Sequence, residues 1–144
     1  MQINPDINTH AFTIKSYDTG EIIVYEPVSS QHTDPSGDVH QRVNTALVTL
    51  NDSFIITPSK LIKAWGGESP QSLQKSHFQT LLDLTPELII LGTGKQIFFP
   101  PAEDYLFLQQ RGIGIEIMDT SAACRTYNFL IADGRNVAAV MFMI

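Results

Sequence analysis

Glu87-Leu88-Ile89-Ile90-Leu91-Gly92-Thr93-Gly94-Lys95 opens the stretch whose reading decides the fold, and that stretch runs on to Ile144. Leu88–Leu91 is an unbroken apolar run between Pro86 and a glycine loop, which suits a strand covered on both faces. Pro100-Pro101 then announces a helix, carried by Leu106 and Leu108 and stopped at Arg111-Gly112. Ile113, Ile115 and Ile117 alternate with Gly114, Glu116 and Met118 and predict a second strand. Asp119, Thr120 and Ser121 are competent N-caps for a helix to about Ala132. Asp133-Gly134 closes that helix, and Val137–Ile144 makes a last apolar strand. The whole is a β-α-β-α-β unit.

Strands joined through a helix are normally parallel, with a right-handed crossover in about 98% of cases. The Gly92–Lys95 loop and the Asp119–Ser121 turn are therefore expected on one rim of the sheet. Ligands of open α/β sheets sit beyond the carboxyl ends of strands. This reading proposes a cleft whose binding residues, for a ligand or a partner, are Gly92, Thr93, Gly94, Lys95, Thr120, Ser121, Arg125 and Asn128. Along the last helix, Ala123, Tyr127, Leu130 and Ile131 fall on a core-facing stripe, while Ser121, Arg125, Asn128 and Ala132 fall on a mostly polar one. A cation one turn into a helix opposes the dipole, so Arg125 calls for an acidic neighbour or a bound small anion.

The chemistry of that cleft is limited. Gly92-Thr93-Gly94-Lys95 lacks the longer glycine frame and the Lys-Ser or Lys-Thr of a phosphate-cradling P-loop, since Gln96 follows Lys95. The dinucleotide fingerprint would start its helix at once, and here Gln96–Phe99 intervenes. Histidines stand at 10, 32, 40 and 77, none of them in the cleft, and Ser121 has no base beside it. No catalytic constellation assembles, and no cofactor is implied. His32, Asp34, Asp38 and His40 offer metal donors in type only, on a stretch without fixed geometry. Cys124 is the single cysteine, which excludes a disulfide framework or a cysteine-based metal site within one chain. It reads as a small core residue; a thiolate activated by Arg125 and the helix N-terminus is the alternative.

The runs Leu91-Gly92-Thr93-Gly94, Met118-Asp119-Thr120 and Ala122-Ala123-Cys124-Arg125-Thr126-Tyr127-Asn128 give the chain a resemblance. They resemble the signature of a small α/β family of uncharacterised bacterial and archaeal single-domain proteins. That family also contains the mitochondrial respiratory complex I (NADH dehydrogenase) assembly factor 3 and an adipogenesis-associated relative. Ser16-Tyr17 before Gly20, Pro58 and Trp65 extend the likeness over about residues 10–144. Asp133-Gly134-Arg135 departs mildly from an expected Glu-Gly-Arg. The resemblance implies a three-layer fold about a mixed sheet and an interaction or assembly role. It carries over no catalytic residue.

The rest of the chain is consistent with one domain, residues 1–144. Nine basic and fifteen acidic side chains give a net charge of −6, which argues against general binding to nucleic acid or to an anionic membrane. No apolar run approaches the roughly 20 residues of a spanning helix, and Met1–Asp6 lacks a signal-peptide pattern, so a soluble cytoplasmic protein is expected. Phe12–Lys15 and Glu21–Glu26 predict a hairpin through Ser16–Gly20. Pro27 to about Gln41 is polar, contains Pro35-Ser36-Gly37, and predicts a surface loop. Ala46–Leu50 and Ser53–Thr57 predict a second hairpin through Asn51-Asp52. Trp65 is expected to anchor a corner beside Gly66-Gly67, with an exposed partner-binding aromatic as the alternative, and Ser69 or Ser72 to cap a helix through about Asp83. The fold that follows is a three-layer α/β domain: a mixed central sheet, helices upon it, and the N-terminal hairpins as an extra layer. Monomer and homodimer both remain open, as do a protein partner and a small anionic ligand.

Overall fold

Every strand of the C-terminal unit joins one sheet, and its last member lies at the centre. A computed structural model describes residues 1–3, 10–33, 35, 36 and 39–144. In chain order the elements are β1 (Thr13–Asp18), β2 (Glu21–Thr33), β3 (Val39–Leu50), β4 (Phe54–Ile56), β5 (Leu61–Lys63), α1 (Lys75–Asp83), β6 (Leu88–Gly92), α2 (Leu106–Gln110), β7 (Gly114–Met118), α3 (Thr120–Ala132) and β8 (Val137–Met141). The five-stranded sheet has the order β5-β4-β8-β6-β7. β6 is parallel to both β7 and β8, whereas β4 is antiparallel to β5 and β8, so the sheet is mixed. A separate antiparallel sheet has the order β1-β2-β3.

Two apolar cores lie on the two faces of the five-stranded sheet. Ile55, Ile89, Leu91, Ala138, Val140 and Phe142 meet Phe78 and Leu81 of α1 and Leu108 of α2. On the other face Phe54, Ile56, Ile90, Val137, Ala139 and Met141 meet Ala123, Cys124, Tyr127 and Ile131 of α3. The same core continues into Ile14, Tyr17, Ile22, Val24 and Leu50 of the three-stranded sheet, which covers α3 from outside. Helix α3 is thus sandwiched between two sheets, and each large side chain buried there contributes about 1.5–3 kcal/mol. The expected mixed sheet, extra N-terminal layer and α/β architecture are present, the layer being the β1-β2-β3 sheet.

Several elements differ from expectation. Within the polar stretch expected as a surface loop, residues 27–33 and 39–41 are strand instead: β2 and β3 pair in continuous register from Ile22↔Leu50 to Thr33↔Val39. β1 pairs with β2 only as far as Thr13↔Tyr25, so beyond it the ribbon has two strands among the described residues. Pro27 is tolerated there because, among the described residues, no third strand needs its missing N–H. His32 and His40 are register partners in this ribbon, while Asp34 and Asp38 lie outside the described residues.

The expected second hairpin does not form either. The chain changes sheets between Leu50 and Phe54, and β4 pairs with β5 and β8 instead of β3. Phe54, Ile55 and Ile56 are all fully buried, the signature of a strand covered on both faces rather than a half-wet hairpin arm. After Pro101 the expected helix is reduced to a 3-10 turn at Ala102–Asp104 and the five residues of α2. Ser69 caps a 3-10 turn at Pro70–Ser72 by accepting from the Ser72 N–H, and α1 starts separately at Lys75.

Candidate functional site

The glycine loop and the N-terminus of α3 do share a rim, because β6 and β7 are parallel and end in the register Gly92↔Met118. They are fastened to each other directly. The Gly94 N–H donates to Thr120 Oγ1 at 2.7 Å, and the Thr120 N–H donates back to the Gly94 carbonyl at 2.9 Å. Thr120 Oγ1 in turn donates to the Phe142 carbonyl at 2.7 Å, so one fully buried hydroxyl joins loop, helix and the residue after β8. A Cβ at Gly92 would lie 2.8 Å from Ala123 Cβ, so glycine is required for this approach. Thr93 Oγ1 donates to the Gln96 carbonyl at 2.7 Å and accepts from the Phe98 N–H, which closes the loop on itself.

The cap follows the sequence. Asp119 is the N-cap of α3, and its carboxylate accepts from the Ala122 N–H at 2.9 Å. With the Thr120 N–H given to Gly94, two of the helix's first donors are occupied by the chain itself. Lys95 is exposed and Ser121 half-buried at the outer side of this junction.

Arg125 and Asn128 have partners in the other sheet. Arg125 Nη1 donates to the Tyr17 hydroxyl at 2.6 Å, in the place where an acidic neighbour or anion was expected. Asn128 does not lie on a polar outer stripe: it is only 5% exposed. Its Oδ1 accepts from the Ile14 N–H at 2.8 Å, and its Nδ2 donates to the Ile14 carbonyl at 2.7 Å. Tyr127 adds a hydroxyl bond to the Phe12 carbonyl at 2.8 Å. The structure therefore brings Gly92, Thr93, Gly94 and Thr120 together, and directs Arg125 and Asn128 onto β1. Sequence spacing gave no sign of Ile14 as Asn128's partner, because 114 residues separate them.

Cys124 is fully buried, and burial pushes its thiol up to about 12, with Arg125 opposing that rise and Asp119 adding to it. A thiol so held is a core residue and not a nucleophile. Burial likewise pushes the Tyr127 phenol above its ordinary value. At the far end of the sheet, Arg135 Nε donates to Glu87 at 2.6 Å and the Asn136 N–H to the same oxygen at 2.9 Å, which together hold the Glu87 carboxyl below its ordinary value. Among the described residues, no three of His, Cys, Asp and Glu group closely enough to hold a metal.

Two further surfaces lie outside the cleft expected from the sequence, and only Trp65 of the second was singled out there. Ile97, Phe99 and Leu106, all between β6 and β7, are 51%, 63% and 48% exposed. A cleft of about 760 Å³ lies at the seam of the two sheets, lined by Thr49–Ser53 and Lys63–Glu68. Trp65, expected as a corner anchor, forms its wall. The indole N–H donates to Ser53 Oγ at 3.1 Å, and the ring meets His77 edge-on with centroids 5.5 Å apart. Ser53 Oγ donates onward to the Gly67 carbonyl.

Comparison with known proteins adds four findings. A family model described as "Protein of unknown function (DUF498/DUF598)" matches residues 36–142. The chain is 37% identical over 71 residues to the "13 kDa major membrane protein" of Francisella tularensis, covering 49% of this chain and 58% of that protein. It is 31% identical over 104 residues to the NADH dehydrogenase [ubiquinone] 1 alpha subcomplex assembly factor 3 of Rattus norvegicus, covering 68% of this chain and 56% of the relative. The chain thus spans little more than half the length of these relatives. A crystal structure of a protein from Bordetella parapertussis is similar with a TM-score of 0.73 and 26% identity, covering 96% of this chain and all of that one. Among the described residues, no helix is long and apolar enough to cross a membrane.

Proposed function

The chain belongs to the family of proteins of unknown function designated DUF498/DUF598, and from that premise we propose that it is a non-catalytic module that binds a protein partner during assembly of a larger complex. The observation that carries this reading is the likeness to the assembly factor over 104 residues. The side chains of reactive type are committed to the fold: Thr120 to Gly94 and Phe142, Asn128 to Ile14, and Cys124 to the core. The docking surface in this reading is the Gly92–Lys95 loop with Ser121 beside it, extended by Ile97, Phe99 and Leu106. Large apolar side chains left in water beside a rigid junction are typical of a protein-binding surface. An anion in the same place would compete with the Gly94 carbonyl and the Asp119 carboxylate for the N–H groups of α3.

Affinity capture of the native chain under crosslinking tests the proposal. Wild type should retain a specific partner, and the double variant Ile97→Ser/Phe99→Ser should lose it while its thermal unfolding is unchanged. Recovery of nothing beyond the chain itself, or equal capture by both forms, overturns the reading. The same reading places the protein in the cytoplasm, and its recovery with washed membranes would contradict that.

A further inference from the structure

The cleft beside Trp65 is bounded by two strands that, among the described residues, each lack a neighbour on one side. β5 is the outermost strand of the five-stranded sheet and β3 the outermost of the three-stranded sheet. Thr49 and Leu50 of β3 and Lys63 of β5 line the opening. The alternation of the β4–β5 ladder fixes which backbone groups of β5 are free. The Thr57 N–H donates to the Lys60 carbonyl, so Thr57 and Lys60 are a hydrogen-bonded pair. Counting along the register Ile56↔Leu61, Ile55↔Ile62, Phe54↔Lys63, the next hydrogen-bonded pair is Ile55 with Ile62. Ile62 therefore spends its N–H and carbonyl on β4, while those of Leu61 and Lys63 point away from the sheet.

We propose that this cleft takes an extended, basic peptide segment of a protein partner, which adds a short strand to β5 and rests on Trp65. The inference deepens the assembly reading, on which it rests for the existence of a partner, by assigning a second contact surface. Backbone groups left open on a strand edge select an extended chain, because only a strand offers donors and acceptors at that spacing. Charge selects its side chains. The exposed carboxylates of Asp52 and Glu68 outnumber the single ammonium of Lys63 along the opening. The half-buried Trp65 ring adds a surface that favours a cation or a large apolar group. The three-residue length of β5 and the lysine at its end limit pairing to one short strand and oppose open-ended aggregation.

Trp65 is the only tryptophan, so its emission reports on this cleft alone. The full chain is titrated with a short end-capped peptide of alternating valine and lysine, and separately with the valine–glutamate counterpart. The lysine peptide should shift Trp65 emission saturably with a dissociation constant below about 1 mM, and should slow amide exchange at Leu61 and Lys63. The glutamate peptide should bind several-fold more weakly. Lys63→Pro removes an outward N–H together with the one ammonium along the opening, so it should weaken binding of the lysine peptide about tenfold even though the cleft becomes more acidic, with circular dichroism unchanged. Should that variant misfold, Glu68→Lys at an exposed position should reverse the charge preference. No saturable shift, protection at β7 instead of β5, or unaltered binding by Lys63→Pro each overturns the inference. Partner capture that persists in Lys63→Pro, together with silent peptides, removes the cleft and leaves the assembly reading standing. Peptide binding without any captured partner does the reverse.

Discussion

Replacing Asn128 with alanine removes the clamp between α3 and β1. The lost amide satisfies both backbone groups of Ile14, at 2.8 and 2.7 Å, in a place closed to water. Those groups face Asn128 because β1 is an edge strand, and because a bulge between Ile14 and Ser16 leaves Lys15 without a partner in β2. A buried donor or acceptor stripped of its partner costs about 1–3 kcal/mol, so the pair sets a loss of about 2–6 kcal/mol. Against a total stability of about 5–15 kcal/mol the variant is crippled but still foldable at the lower end. The midpoint of thermal unfolding should fall by about 4–24 °C, at about 2–4 °C per kcal/mol. Urea unfolding gives the free energy, and amide exchange at Ile14 localises it: that amide should lose its protection while those of β6 and β8 keep theirs. Asn128→Asp should be no better, since its second oxygen would face the Ile14 carbonyl. Arg125→Ala is the internal control; its side chain is exposed, and its bond to Tyr17 should be worth less than about 1 kcal/mol. A cost below about 1 kcal/mol for Asn128→Ala, with Ile14 still protected, would show that the three-stranded sheet is held by apolar contact alone.

Other consequences follow from the same geometry. Gly92→Ala should destabilise by about 1–3 kcal/mol in chemical denaturation, because the added methyl meets Ala123 Cβ at 2.8 Å; a neutral effect would mean that α3 shifts freely on β6. Cys124 should resist iodoacetamide in the native chain at mildly alkaline pH, since burial holds its thiol up near 12, and should react fully only in denaturant. Labelling by mass spectrometry at equal rates in both states would contradict its burial. Glu87→Gln should erase a pH-dependent part of stability. The Arg135 and Asn136 bonds hold the folded-state carboxyl below its unfolded value, so its contribution is complete above the ordinary carboxylate range. It is lost as pH falls through the lowered folded value, and the denaturation curves of wild type and variant should converge there.

Local signals made most of the C-terminal unit legible. The apolar run Leu88–Leu91, the alternation at 113–118, the Asp119 cap and the glycine stops each depend on neighbours a few residues away, and each produced its element. Rim-sharing by Gly92–Lys95 and Thr120 followed because a parallel crossover leaves little choice. The N-terminal half yielded less, since pairing between distant strands leaves weak marks on either one. The ribbon of residues 27–33 and 39–45 is held by cross-strand backbone bonds, which a polar sequence can form as readily as an apolar one. Phe54-Ile55-Ile56 did carry a mark, an unbroken apolar run, yet its true neighbour β8 lies some 85 residues away in the register Ile55↔Val140.

By itself the sequence determined a single α/β chain with a buried parallel core, a glycine loop and a capped last helix meeting at one rim. Only the tertiary structure decided what the polar residues of that helix are for. Arg125 and Asn128 have the spacing of a ligand-binding stripe, but the three-stranded sheet folds over α3 and presents Tyr17 and the Ile14 backbone to them. A side chain's hydrogen-bond capacity is written in the sequence; which group arrives to use it depends on how distant segments pack.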